Sequence, residues 1–238
     1  MKKILVTGCN GQLGRAINQE YGNEAEFINT DVQAADGVTA LDITKVEDVL
    51  ALVRETKPDV IINCAAHTAV DLCEQQWDSA YRINAIGPRN LSIAASEVDA
   101  KLIHVSTDYV FDGNGSRPYT EFDAPGPNSA YGKTKLEGEN FVKAFARKYF
   151  ILRTAWLYGD GKNFVKTMLR LSESHDKVTV VDDQVGCPTS ALELAKMIHF
   201  LEPTENYGLF HAVCEGSCSW ADLAEETFKL AGKNTVVE

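Results

Sequence analysis

The stretch Lys3-Ile4-Leu5-Val6-Thr7-Gly8-Cys9-Asn10-Gly11-Gln12-Leu13-Gly14 decides how this chain folds. Its first five residues are a short, mostly apolar run of the kind that forms a parallel strand buried on both faces. The run passes straight into glycines spaced three apart, and a helical pattern follows from Leu13 to about Tyr21. Strand, glycine turn, helix is the setting in which such glycines hold a dinucleotide. Gly8 allows the tight turn, Gly11 lets the backbone approach a pyrophosphate at the helix N-terminus, and Gly14 lets helix and strand pack closely. The spacing G-x-x-G-x-x-G departs from the commoner G-x-G-x-x-G, and a plain strand-to-helix turn is the alternative.

The alternation continues outward from this point. A second strand over 26–30 ends at Asp31, whose carboxylate is placed to accept hydrogen bonds from an adenosine ribose and so favours NADH. Arg15, beside the turn, is a cation suited to the extra phosphate of NADPH, so both cofactors stay open. Asp42 either caps the helix over 46–56 or contacts adenine. A third strand over 59–64 enters Ala65-Ala66-His67-Thr68, where small residues let a ligand lie against the backbone; His67 reads first as a structural loop histidine. The pattern over 71–95 is helical with a break at Gly87-Pro88, and Asn84 lies on its apolar side. A fourth strand over 101–107 ends in Thr107, a hydroxyl at the end of the strand that faces the ligand crevice in such sheets.

After a polar, Gly- and Pro-rich loop over 114–129 comes Ser129-Ala130-Tyr131-Gly132-Lys133-Thr134-Lys135. Tyr131 and Lys135 share a helix face. A phenol ionises near pH 10, and bringing that close to neutrality takes about 4 kcal/mol. A close, partly desolvated ammonium supplies that much, so the pair is suited to move a proton to or from an oxygen. A solvated helix face is the plainer reading of the same spacing.

Strands over 150–154, 178–181 and 209–213, helices over 164–171 and 191–201, and a Ser219-capped helix to Ala231 complete the chain. The expected fold is α/β, a doubly wound parallel sheet of Rossmann type with a smaller α/β substrate-binding lobe on the C-terminal side. The expected division is a dinucleotide-binding domain over 1–150 and a substrate lobe over 151–238 whose strands partly return to the first domain. Trp156 follows a strand and is read as core or as a cover for a sugar or base.

Composition narrows the function. Of 238 residues, 45% are hydrophobic and 24% charged, as in a globular protein with a full core. A net charge of −11 argues against a general binder of nucleic acid or anionic membrane. No run of about 18 apolar residues marks a membrane span. The N-terminal apolar run is too short for a signal peptide, and the six scattered cysteines form no C-x-x-C pair and suggest no metal site. The reading is a cytoplasmic protein with reduced thiols.

Thr107, Tyr131 and Lys135, beside Gly8, Gly11 and Gly14, resemble the extended short-chain dehydrogenase/reductase family. The stretches 106–113, 65–71, 153–159 and 181–189 are similar to one branch of it, the dTDP-4-dehydrorhamnose reductases. That resemblance implies reduction of the 4-keto group of dTDP-4-dehydro-6-deoxy-L-mannose by NADPH or NADH. It implies that Tyr131 protonates the alkoxide, that Lys135 lowers the tyrosine pKa and holds the nicotinamide ribose, and that Thr107 hydrogen-bonds the carbonyl. By the same resemblance Asn10, Gly11, Gln12 and Leu13 hold the pyrophosphate and Asp31 and Asp42 lie at the adenosine end. Ala65, Ala66 and His67 line the cofactor, and Asp108, Val110 and Trp156 contact the sugar nucleotide. Relatives of this kind continue some tens of residues past Glu238, and some are dimers bridged by magnesium, whose ligands have no counterpart identified here. A monomer or homodimer is expected. The competing readings are an epimerase or another sugar-nucleotide reductase of the same family, and a non-catalytic subunit like the regulatory subunit of methionine adenosyltransferase.

Overall fold

The computed structural model describes residues 1–238. The glycine-flanked run forms β1 (Lys2–Thr7). The other strands of its sheet are β2 (Ala25–Asp31), β3 (Thr39–Ala40), β4 (Val60–Asn63), β5 (Lys101–Thr107), β6 (Tyr149–Thr154) and β7 (Gly208–His211). They lie side by side in the order β7-β6-β5-β4-β1-β2-β3, all parallel. The order reverses between β1 and β4, and in such sheets the crevice at that point receives the ligand. This is the doubly wound sheet expected from the alternation.

Burial on both faces explains the apolar runs. On β1, Ile4 and Val6 face a cluster with Leu13 and Ile17 of α1 (Gln12–Tyr21) and Leu194 and Ile198 of the helix over 191–201. Leu5 faces the other side, among Val49 and Val53 of α2 (Val46–Thr56) and Leu91 and Val142 from two further helices. With both sides covered, alternation disappears from the sequence and a continuous apolar run remains.

The segment expected to be helical over 71–95 with a break at Gly87-Pro88 is built differently. It contains α3 (Val70–Gln75), α4 (Trp77–Tyr81), a π-helical turn over Arg82–Ile86, and α5 (Gly87–Glu97). Gly87-Pro88 does not end the helix: Arg82, Ile86 and Gly87 keep helical backbone angles, so the chain stays helical from α4 through the π turn into α5, with Pro88 just after that turn. The irregularity is the π turn that carries Asn84. The chain continues through α6 (Ala130–Phe145), α7 (Phe164–Leu171), α8 (Ala191–Leu201) and α9 (Trp220–Leu230). Ser129 caps α6 by accepting from the Gly132 amide, and Ser219 and Asp222 form a capping box on α9. The strand expected over 178–181 shrinks to Lys177–Val178, paired with Val236–Val237.

One buried ion pair ties the layers together. Glu139 of α6 is fully buried and accepts from Arg153 Nε (2.8 Å) and Nη2 (2.7 Å) of β6 and from Ser106 Oγ (2.6 Å) of β5. Removing one partner leaves an uncompensated buried charge. Arg153→Met is therefore expected to lower unfolding stability by about 3–5 kcal/mol in urea titrations at neutral pH. A loss below about 1 kcal/mol would show that the pair carries little of the fold.

Candidate active site

A cleft of about 940 Å³ opens at the carboxyl ends of β1, β4 and β5, where the strand order reverses. Its floor begins at the glycine turn. Gly8 has φ +65°, and a Cβ there would come within 2.9 Å of the Ala65 backbone. At Gly14 a Cβ would meet Cys9 Cα and Gly8 O at 2.5 Å, so helix and turn touch at a distance only glycine permits. α1 has no side-chain cap, its first backbone bond is Arg15 N to Gly11 O, and Gln12, Leu13 and Gly14 line the cleft. The unpaired amides at this helix start suit a pyrophosphate, so the residues present fit a dinucleotide.

The end of the cleft beside β2 is lined by Asp31 and Asp42. Asp31 accepts from the Asn10 amide (3.1 Å) and the Val32 amide (2.8 Å), which fixes its carboxylate at the edge of the cleft. Asp42 accepts from Thr44 N (3.0 Å) and Oγ1 (2.8 Å), a local turn ahead of α2, while also facing the cleft. Arg15 donates to the Asn10 and Asp160 carbonyls and, with Lys162, brings positive charge to the wall. Asn163 Nδ2 donates to Gln12 Oε1 (2.8 Å), so the segment after β6 is strapped to the glycine turn.

At the other end stand Thr107, Asp108, Tyr131 and Lys135. Thr107 ends β5, and Tyr131 and Lys135 lie one turn apart on α6, all three buried. Lys135 Nζ donates to the Val105 carbonyl (2.6 Å). Burial pushes its pKa down to about 8, against the pull of Glu139 and Cys64. Burial raises the Tyr131 phenol above its ordinary value, and the neighbouring Thr107 hydroxyl opposes that rise. The spacing argument expected the ammonium to lower the phenol. In this structure Lys135 is turned to the strand carbonyl, and the group that favours the phenolate is Thr107. Beneath them a polar row crosses three strands: Thr7 Oγ1 donates to Asn63 Oδ1 (2.7 Å), and Asn63 Nδ2 meets His104 Nδ1 (3.0 Å). Burial, with Lys135 nearby, keeps His104 neutral.

The cleft gathers most of the residues expected from the sequence, from Gly8, Asn10 and Gly11 to Ala65, Ala66 and Trp156. Two are not on its wall. His67 directs its ring to Cys73 Sγ (Nδ1–Sγ 3.2 Å), and its backbone is held on both sides by Asn84, whose Oδ1 accepts from His67 N (2.8 Å) and whose Nδ2 donates to His67 O (3.1 Å). Val110 ends the short turn after β5 and is fully buried. Sequence reasoning missed Trp220 and Lys162, which do line the cleft. Trp156, with φ +46°, stacks on Trp220 at 3.5 Å between ring centroids and 8° between planes. The one signal for Trp220 was its place directly after the Ser219 cap.

The family model described as "RmlD substrate binding domain" matches residues 1–237. The dTDP-4-dehydrorhamnose reductase of Escherichia coli (strain K12) is 41% identical over 236 residues, covering 97% of this chain and 78% of that protein. The crystal structure of a dTDP-4-dehydrorhamnose reductase from Clostridium acetobutylicum is 58% identical with a TM-score of 0.95, covering 99% of this chain and 82% of that one. That of Bacillus anthracis, in complex with NADP, is 43% identical with a TM-score of 0.94, covering 100% and 84%. Sequence match along nearly the whole chain and closely similar folds agree, and the chain belongs to the RmlD substrate binding domain family, together with these dTDP-4-dehydrorhamnose reductases.

Proposed function

We propose that this protein reduces the 4-keto group of dTDP-4-dehydro-6-deoxy-L-mannose to give dTDP-L-rhamnose, using NADPH or NADH. The observation that carries the reading is the meeting of Thr107, Tyr131 and Lys135 at one end of a single cleft whose other end is the glycine turn. When bound, the reduced nicotinamide supplies the hydride that C4 receives. The chain's own residues handle the oxygen. Thr107 donates to the carbonyl oxygen, which draws electron density away from C4. Tyr131 gives its proton to the oxygen as the C–O π bond opens, leaving a hydroxyl on the sugar and a phenolate on the enzyme. Lys135, charged below about pH 8, offsets that phenolate until a solvent proton restores it. Burial keeps water from the developing alkoxide and makes each of these interactions stronger than in solvent.

The amides of Gln12 and Leu13, with Asn10 and Gly11, hold the pyrophosphate, and Asp31 and Asp42 take the adenosine end. Asp108 and Trp156 contact the sugar nucleotide. In this reading residues 1–150 bind the dinucleotide and 151–238 shape the sugar side. The enzyme works in the cytoplasm as a monomer or homodimer, without a nucleic-acid or membrane partner.

Tyr131→Phe removes the proton donor and leaves the packing. It is expected to lower kcat by about 10²- to 10⁴-fold. NADPH affinity, followed by fluorescence titration, should change little. Unchanged turnover in steady-state assays with the keto-sugar nucleotide would remove Tyr131 from the chemistry. The depressed Lys135 fixes the sign of a pH effect. Its ammonium is present below about pH 8 and lost above it, so kcat/KM falls as pH rises through about 8. Lys135→Met should lower activity and abolish that limb; a limb that persists in this variant belongs to another group.

A further inference from the structure

The Thr107 hydroxyl has one proton and two acceptor lone pairs. In the structure the proton goes to Asp108 Oδ1 (3.0 Å), and one lone pair accepts from the Tyr109 amide (3.2 Å). The Tyr131 phenol is the remaining neighbour. With its proton held by a carboxylate, Thr107 has none left to give to a phenolate at Tyr131 or to a carbonyl oxygen in the cleft. The Thr107 proton then points toward Asp108 and away from a carbonyl oxygen in the cleft. Reducing a ketone needs the opposite direction, with Thr107 and Tyr131 donating to that oxygen together.

We propose that Asp108 is the positioning residue that sets this direction: as a carboxylic acid it donates to Thr107, which then donates to the substrate oxygen, and as a carboxylate it withdraws that proton. The inference rests on the ketone-reductase reading above and gives Asp108 a role besides contact with the sugar. No bond to Asp108 forms or breaks except O–H, and its proton comes from solvent.

The surroundings of Asp108 suit both states. It opens the short turn after β5 and lines the cleft. Burial pushes its carboxyl up to about 6, against hydrogen bonds from Thr107 and from the Asp108 and Tyr109 amides. No cation is among the groups that act on it. Its titratable neighbours are the Tyr109 phenol on the same turn, the Tyr131 phenol on α6 and the Cys187 thiol on the segment before Thr189. Burial raises all three, so they are neutral where Asp108 titrates, and Asp71 of α3 acts on Tyr109 rather than on Asp108. A substrate that fills the cleft displaces more water and moves the carboxyl further toward its neutral form.

The test measures kcat and KM separately from about pH 5 to 9, with saturating NADPH and the keto-sugar nucleotide, for the wild type, Asp108→Asn and Thr107→Val. In the wild type, kcat is expected to fall by about tenfold per pH unit above a limb at about 6 or somewhat higher. In Asp108→Asn the carboxamide N–H donates to Thr107 at every pH, so the kcat limb disappears, while the altered sugar contact is read separately in KM. In Thr107→Val the limb also disappears, at a lower kcat. A limb that survives in Asp108→Asn, or a change confined to KM, overturns the inference and leaves Asp108 a sugar contact alone. A second measurement needs no turnover. In a protein carrying 13C-labelled aspartate, the carboxyl signal that Asp108→Asn removes should titrate near 6. A midpoint in the ordinary carboxylate range also overturns the inference. A midpoint near 6 in a protein that reduces no keto-sugar nucleotide would sink the reductase reading, and this inference with it. A working reductase whose limb is indifferent to Asp108 would sink only the inference.

Discussion

Arg153, Glu139 and Ser106 form the interaction on which the geometry of the site depends. Ser106 precedes Thr107 on β5, and Glu139 lies one helical turn beyond Lys135 on α6. The buried carboxylate therefore fastens the helix that carries the phenol and ammonium to the strand that carries the hydroxyl, with Arg153 of β6 closing the bridge. Burying two charges is expensive, and a pair of this kind is weak evidence of added stability by itself. What it supplies is register. Glu139 can satisfy its two oxygens only if α6 sits at one height and one rotation against the sheet. The same guanidinium lies 5.0 Å from the Phe111 ring, Phe111 stacks on Tyr119, and Glu121 accepts from the His211 amide of β7. The polar loop that follows β5 is thereby pinned to the same anchor.

The sheet accounts for how groups so far apart in sequence meet. Every strand is parallel, so every carboxyl end points the same way, and the reversal of order between β1 and β4 leaves a gap no helix covers. Thr7, Asn63 and His104 then align across neighbouring strands as a buried polar row below the cleft, satisfied largely by one another. The protein carries an excess of negative charge overall, yet the glycine-turn end of the cleft presents helix-start amides with Arg15 and Lys162. Local geometry, not net charge, decides what that end attracts.

Much of this was legible from residues alone, and the reasons differ by element. β5 and helices α2, α7 and α8 fall on the expected residues because their apolar positions follow one period and their ends carry ordinary stop signals. The region around Asn84 was misread because a proline after a glycine looks like a breaker, whereas here the chain stays helical through it behind a π turn. The π turn that matters leaves no periodic trace. Convergence on the cleft followed from topology, since strand ends of a doubly wound sheet are its crevice. Side-chain direction did not follow. His67 turns to Cys73, Val110 turns inward, and Trp156 is laid on a Trp220 some sixty residues away in sequence, a contact no local pattern encodes.

The Tyr131–Lys135 pair shows where spacing stops and burial begins. Four residues on a helix guarantee adjacency but not that a long lysine side chain aims at the phenol, and here it aims at Val105 O. Desolvation then acts on Asp108, Tyr131 and Lys135 in the same sense, favouring the neutral form of each. It raises the Asp108 acid to about 6 and lowers the Lys135 base to about 8, from starting points far apart. Two groups that in water would be fully ionised at neutral pH are brought to either side of it, and the phenol between them keeps its proton. A site that must deliver one proton to an alkoxide and recover it from solvent needs donors and acceptors whose states differ by little free energy at working pH. The fold meets that need by removing water from the ends of β5 and α6 and placing no strong ion pair against Asp108, while the strong pair of Glu139 and Arg153 is kept one turn deeper, where it holds geometry and exchanges no proton.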